Sequence, residues 1–280
     1  MQSLDAIIQK IESSEKEIID TMVGMIRIPA LSPVNGGVGE SEKADYIERH
    51  LSGYDEVVRV DVPDRSNPDI LRSNILARKL GCKPGTVWIV AHIDVVPAGD
   101  LSLWDNPPYD PKYIKGRVYG RGTEDNGQSV ISSMFASRYF ESGTLSGMSI
   151  GVCYVADEET TSEYGIEYLL DHGYFTEDDV IIVPDWGSPN GSMIEVTEKS
   201  SIWIRVCVHG ATTHGSTPHL GINAYRLSTN LLHDLLDTFP REFPDEDQMF
   251  MPSSSTFEPT KRPKISLTEI GSHNIIARQV

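Results

Sequence analysis

Five short segments carry most of the side chains in this chain that could do chemistry: residues 91–97 (AHIDVVP), 119–126 (YGRGTEDN), 156–160 (ADEET), 183–187 (VPDWG) and 210–214 (GATTH). The first four each follow an apolar, strand-like run, and residues just past strand ends can converge on one point. His92 and Asp94 are two apart, so on a strand they share a face. A neutral imidazole ligates zinc, and a carboxylate two residues on can accept its other N–H and fix the tautomer. Alone, that pair equally describes a solvated strand end. It becomes more specific with Val95, Val96 and Pro97 behind it and the Trp104–Tyr109 run (WDNPPY) further on. Asp125 stands directly before a helical stretch, where it could cap the helix or bridge two cations, one oxygen to each.

Asp157, Glu158 and Glu159 follow the apolar run 150–155. Three adjacent acids usually mark a solvated loop, but at the end of a buried strand their repulsion calls for a counter-ion. Adjacent glutamates can also divide the work, one binding metal and the other taking a proton from water beside it. Asp185 is a further candidate ligand or a turn residue before Gly187. His214 is either an exposed loop histidine or a donor to a developing oxyanion. Neither a GxxxxGK[ST] loop nor a GxGxxG after a strand is found, which excludes phosphate binding of those kinds.

Elements must hold these residues. Apolar positions at Leu4, Ile7, Ile8, Ile11, Ile18, Met22 and Met25 have helical spacing, so a helix is expected over residues 4–26, ended by Pro29 and the Asn35-Gly36-Gly37 cluster. Further helices are expected over 40–51, 128–140, 164–170 and 223–238. Strands are expected over 56–60, 74–78, 86–91, 148–155, 180–183, 201–208 and 264–270. Alternation of strands and helices implies an α/β layered domain. The character changes near Thr197, after which a strand, a helix, a Pro-, Ser- and Thr-rich loop over 240–263 and a strand read as a second, smaller α/β unit.

The chain has 280 residues, 39% of them apolar, and a net charge of −17. That suits one large or two ordinary domains and argues against nucleic acid and anionic membranes as partners. The apolar runs are short of a membrane span, and the N-terminus lacks a secretory signal. Cys82, Cys153 and Cys207 are widely spaced and odd in number, as in reduced cytoplasmic proteins. The expected location is cytoplasmic.

With its motifs in this order, the chain resembles the co-catalytic di-zinc metallopeptidase family that includes aminoacylases, bacterial glutamate carboxypeptidase, acetylornithine deacetylase and succinyl-diaminopimelate desuccinylase. The match is strongest from His92 to Ala224. Residues 210–224 look like the family's lid segment, and 255–261 (STFEPTK) look like the deacetylase/desuccinylase branch. The resemblance implies a layered zinc-peptidase catalytic domain over 1–197, with a central, mostly parallel sheet, and a partial α/β lid over 198–280. It implies that His92, Asp125 and Asp185 bind one zinc, and that Asp125 and Glu159 bind the other. Co2+ or Mn2+ would be substitutes. Glu158 would be the general base and acid, Asp94 would orient His92, and His214 would stabilise the oxyanion across a homodimer formed through the lid. The Asp125–Asn126 peptide would be cis.

The reaction implied is hydrolysis of the amide in a small N-acyl amino acid, with a dipeptidase or carboxypeptidase on the same site as the alternative. Two departures stand out. Gly127-Gln128 replaces a usual lysine–glycine, and the family's return to the catalytic domain, with its last histidine ligand, has no counterpart. Residues 274–279 also lack the Pro-Gly expected after Asn274. The chain therefore reads as a family member cut off inside its lid, and a metal-binding protein that turns nothing over is the expectation from another class.

Overall fold

A computed structural model of the chain describes residues 3–141, 145–186, 188, 192, 206–242, 265–270 and 274–279, the last two segments by their backbone. The chain divides into two compact units, Met1–Val196 and Thr197–Val280, each of which is taken by itself.

The first unit is built on a sheet of five strands: β1 (Glu56–Pro63), β2 (Leu71–Lys79), β3 (Thr86–His92), β6 (Ser149–Val155) and β7 (Val180–Ile182), in the order β1-β2-β6-β3-β7. Helices α1 (Leu4–Ser13), α2 (Glu15–Ile26), α3 (Ser41–Glu48), α4 (Gln128–Arg138) and α5 (Ile166–Asp171) accompany it. Successive strand residues point to opposite faces, and the two cores follow that period. Ile75 and Ala77 of β2 and Val152 and Tyr154 of β6 join Met25 and Ile26 of α2, Ile47 of α3 and Met134 and Phe135 of α4 on one face. Leu76 of β2 and Cys153 and Val155 of β6 join Trp88, Val90 and Leu169 of α5 on the other. The layered α/β architecture is thus the expected one.

The sheet is mixed rather than mostly parallel. β3 runs parallel to β6 and to β7, whereas β1–β2 and β2–β6 are antiparallel. Connection length decides this. Only a short loop separates β1 from β2, and such a loop can join antiparallel strands alone, while α4 and α5 lie on the crossovers that parallel pairing requires.

Other boundaries also differ from expectation. Residues 4–26 form two helices, because Ser14 leaves helical geometry (φ −98°, ψ 8°), caps α1 with its N–H on Glu12 and Ile11 carbonyls, and then starts α2. A hairpin not expected from the pattern, β4 (Lys112–Ile114) with β5 (Arg117–Tyr119), turns at Lys115 (φ 51°) and Gly116 (φ 81°). Two successive positive φ values are what a tight hairpin turn requires.

The second unit contains β8 (Cys207–His209), α6 (Ala224–Glu242), β9 (Ile265–Ile270) and β10 (Asn274–Gln279), with β10 antiparallel between β8 and β9. β10 was not expected. Residues 201–205 of the expected strand, and 243–263 of the expected loop, lie outside the described residues. Among the described residues no helix is long and apolar enough to cross a membrane.

Candidate metal centre

His92 is the last residue of β3 and only 3% exposed. Its two ring nitrogens face different partners. Nδ1 lies 3.1 Å from the backbone carbonyl of Asp94 and 3.5 Å from its Oδ1. Nε2 lies 2.8 Å from Asp125 Oδ1, 3.7 Å from Asp185 Oδ1 and 3.8 Å from Glu158 Oε2. Burial works against charge on this imidazole, but Asp185 and Asp94, with the charge of Glu158, push its pKa up to about 11.

Each carboxylate is delivered by its own element. Asp125 sits in the loop before α4, whose ends are tied by Gly127 N–H on Gly122 O at 2.9 Å. Gly122 makes the bend at φ +79°, and a Cβ there would stand 2.5 Å from Val95 Cγ1. The Asp125–Asn126 peptide is cis. Asp185 follows β7, and its loop is tied to the start of α4 by Ser129 Oγ donating to Pro184 O. Asn126, buried, donates its side-chain amide to Asp185 Oδ1.

Glu158 and Glu159 follow β6. Their backbone N–H groups donate to the two oxygens of the Asp94 carboxylate, at 3.1 Å and 3.0 Å. Burial, opposed by His92 and reinforced by Asp185, raises the Glu158 carboxyl above the usual range. Burial and then the Asp125 charge push Glu159 up to about 7. Glu159 Oε1 and Asn126 Oδ1 are buried without a hydrogen-bond partner.

One ligand atom each from His92, Asp125 and Asp185 lie within 4.8 Å of one another. One imidazole and two carboxylates are a donor set suited to a divalent cation such as zinc, and the unpartnered buried oxygens of Glu159 and Asn126 are acceptors that call for a further partner. The residues therefore fit a metal. Four of the sequence candidates, His92, Asp125, Asp185 and Glu158, meet around one imidazole nitrogen. Asp94 holds the backbone of the glutamate pair, a role its spacing from His92 did not suggest. Asn126 was not anticipated, because a buried side-chain amide next to a candidate ligand has no signature in spacing.

His214 belongs to the second unit. It is exposed, Ser216 N–H approaches its Nδ1 at 3.2 Å and Ser216 Oγ lies 2.7 Å from it. A backbone N–H can only donate, so Nδ1 is the acceptor and the neutral ring carries its proton on Nε2.

Comparisons with known proteins place the chain in a family. Residues 88–269 match the model of the peptidase family M20/M25/M40. An uncharacterized metallohydrolase of Methanocaldococcus jannaschii is 37% identical over 255 residues, covering 88% of this chain and 62% of that protein. One of Methanococcus maripaludis is 35% identical over 254 residues, covering 87% and 61%. The chain thus spans about three-fifths of the length of these relatives. Among solved structures, the di-peptidase Dug1p of Saccharomyces cerevisiae superposes with a TM-score of 0.53 at 25% identity, over 74% of this chain and 45% of that one. Human carnosine dipeptidase 1, at 23% identity and a TM-score of 0.52 over 75% and 44%, shares the fold. With a family model covering most of its length and relatives this similar, the chain is a member of peptidase family M20/M25/M40.

Proposed function

We propose that this chain carries the centre of a metal-dependent hydrolase that cleaves the amide bond of a small N-acyl amino acid or dipeptide. The observation that carries the reading is the meeting of His92, Asp125 and Asp185 with the Glu158 carboxylate beside the same imidazole nitrogen. His92, Asp125 and Asp185 would hold one divalent cation, and Asp125 with Glu159 a second. Such cations, zinc with cobalt or manganese as substitutes, polarise a carbonyl and acidify water.

The chain's own groups do the rest. Glu158 is partly exposed and its carboxyl is raised by burial. That suits a group which takes a proton from water and returns it to the leaving amine. Asp94 holds its backbone in place. His214, with Nδ1 occupied by Ser216 and the proton on Nε2, is in the form that donates to an oxyanion. In this reading residues 1–197 are the catalytic domain, 198–280 part of a lid through which two copies pair, and the cytoplasm is the site of action.

Residues 255–261, which suggest a deacetylase or desuccinylase, lie outside the described residues. The similarity to a di-peptidase keeps dipeptides beside N-acyl amino acids as the substrate class to test. A second reading, cation binding with little turnover, has its own observation: Glu159 stands outside the close group of ligand atoms.

The test is Glu158→Gln, assayed on dipeptides and N-acyl amino acids with added zinc. A fall of about 10²–10⁴-fold in turnover is expected, with divalent binding retained. Turnover equal to the parent protein would overturn the assignment, and absence of turnover in the parent protein would favour the second reading.

A further inference from the structure

Among the described residues, the largest fully buried side chain is an arginine. Arg72, in β2, is 1% exposed and meets three carboxylates that are buried with it. Nε donates to Glu40 Oε2 at 2.8 Å, Nη2 to Glu40 Oε1 at 2.7 Å, Nη1 to Asp64 Oδ2 at 3.2 Å, and Nη2 also to Asp157 Oδ1 at 2.9 Å. Three carboxylates against one guanidinium leave a buried excess of negative charge, and burial lifts Glu40 above the usual carboxylate range despite Arg72. A buried ion cluster of this kind adds little to stability over a well-packed apolar one. What it touches explains it better.

Asp157 immediately precedes Glu158 and Glu159. It has φ +69°, a conformation a non-glycine residue adopts only where its surroundings hold it. Its carboxylate accepts from Arg72, from the hydroxyls of Thr160 and Thr161 and from Tyr164 N–H. Its carbonyl accepts the N–H groups of Thr160, Thr161 and Ser162 at 3.3, 3.1 and 2.8 Å. The next two N–H groups along the chain, of Glu158 and Glu159, point the other way, onto Asp94. The turn is therefore gripped from both sides.

We propose that the Arg72–Asp157 pair, braced by Glu40 and Asp64, positions the Glu158–Glu159 turn against Asp94, which makes Arg72 and Asp157 positioning residues for the hydrolytic centre. This inference rests on the roles given above to Glu158 and Glu159. Removing the Asp157 charge frees the αL bend to relax, and the two glutamate amides then leave Asp94.

The test is amide hydrogen exchange, read residue by residue by NMR on the full chain, which needs no turnover and so fails or succeeds separately from the Glu158→Gln assay. Asp157→Asn keeps the size of the side chain and tolerates positive φ. In it the Glu158 and Glu159 amides should exchange about ten-fold faster, while those of β3 and β6 keep their protection, as expected for a local opening. Where Asp157→Asn does not fold, Arg72→Lys, which keeps the charge but not the forked contacts, is read the same way. Unchanged protection of the two amides in a folded variant, or equal loss across the strands, would overturn the proposal. So would failure of both variants to fold, which would make the cluster a folding element only.

Discussion

The carboxylate of Asp94 accepts the backbone N–H of Glu159 at 3.0 Å. Its other oxygen takes Glu158 N–H at 3.1 Å, and its backbone carbonyl lies 3.1 Å from His92 Nδ1. One 1%-exposed residue thus ties the end of β3 to the end of β6, the two parallel strands whose ends carry the imidazole and the glutamate pair. Parallel pairing puts both ends on one edge of the sheet, which is why groups 66 residues apart in sequence share a site.

Asp94→Ala should therefore act on stability and on the centre together. Two part-buried N–H groups lose their acceptor, at about 1 kcal/mol each. Urea unfolding should show that loss, and a zinc titration of the folded variant should show weaker binding. A variant as stable as the parent would mean that water replaces the carboxylate and that Asp94 does not hold the turn.

Gly122→Ala tests the loop that carries Asp125. The residue has φ +79°, and its new Cβ would stand 2.5 Å from Val95 Cγ1, next to Asp94. The left-handed conformation alone costs a residue with a Cβ roughly 1–2 kcal/mol, and displacement of Val95 adds to it. The expected result is a lower urea midpoint with an unchanged slope. An unchanged midpoint would show that the loop moves freely around Gly122.

The strand-end acids were legible because their chemistry is local: an apolar run followed by His92, Asp157 or Asp185 reads the same in sequence and in space. Helices α3 to α6 were legible from periodicity, with ends shifted by a few residues. The break at Ser14 was not, since the apolar spacing runs through it without a glycine or proline. The β4–β5 hairpin has only a short signal in sequence, Lys115-Gly116 between Lys112-Tyr113-Ile114 and Arg117-Val118-Tyr119, runs too brief to show a strand period. Arg72 was invisible for a deeper reason. Arginine is ordinarily exposed, and its burial depends on Glu40, Asp64 and Asp157, which come from three separate parts of the chain.

Lys43 should make stability depend on pH. It is 3% exposed, and burial pulls its pKa down to about 8, against the opposing charges of Asp94 and Glu40. The unfolded lysine keeps its proton to the ordinary value of 10.5. Between these two values the unfolded chain binds more protons than the folded one, so stability rises with pH across that window and the penalty of the buried charge is fully present below it. The rise should be on the order of 1–3 kcal/mol. Urea unfolding of the parent chain and Lys43→Met at the two ends of the window gives the comparison. A parent chain whose rise is no steeper than that of Lys43→Met would mean that Lys43 titrates as an ordinary lysine.

Asn126 offers a test of the metal reading that replaces none of the three candidate ligands. Its side-chain amide donates to Asp185 Oδ1, it is 2% exposed, and its own Oδ1 has no hydrogen-bond partner. A donor on the Asp185 oxygen that faces His92 fixes the orientation of that carboxylate at the centre. Partners of this kind typically matter by about 10–100-fold in metal affinity. Asn126→Ala should weaken zinc binding by that factor in a calorimetric titration, while leaving His92, Asp125 and Asp185 in place. Asn126→Asp should weaken it less, because the added charge attracts the cation even as the hydrogen bond to Asp185 is lost. Equal affinity in the parent chain and Asn126→Ala would show that Asp185 needs no orienting partner, and a cation bound with Asp185 as a ligand would then have to hold that carboxylate by itself.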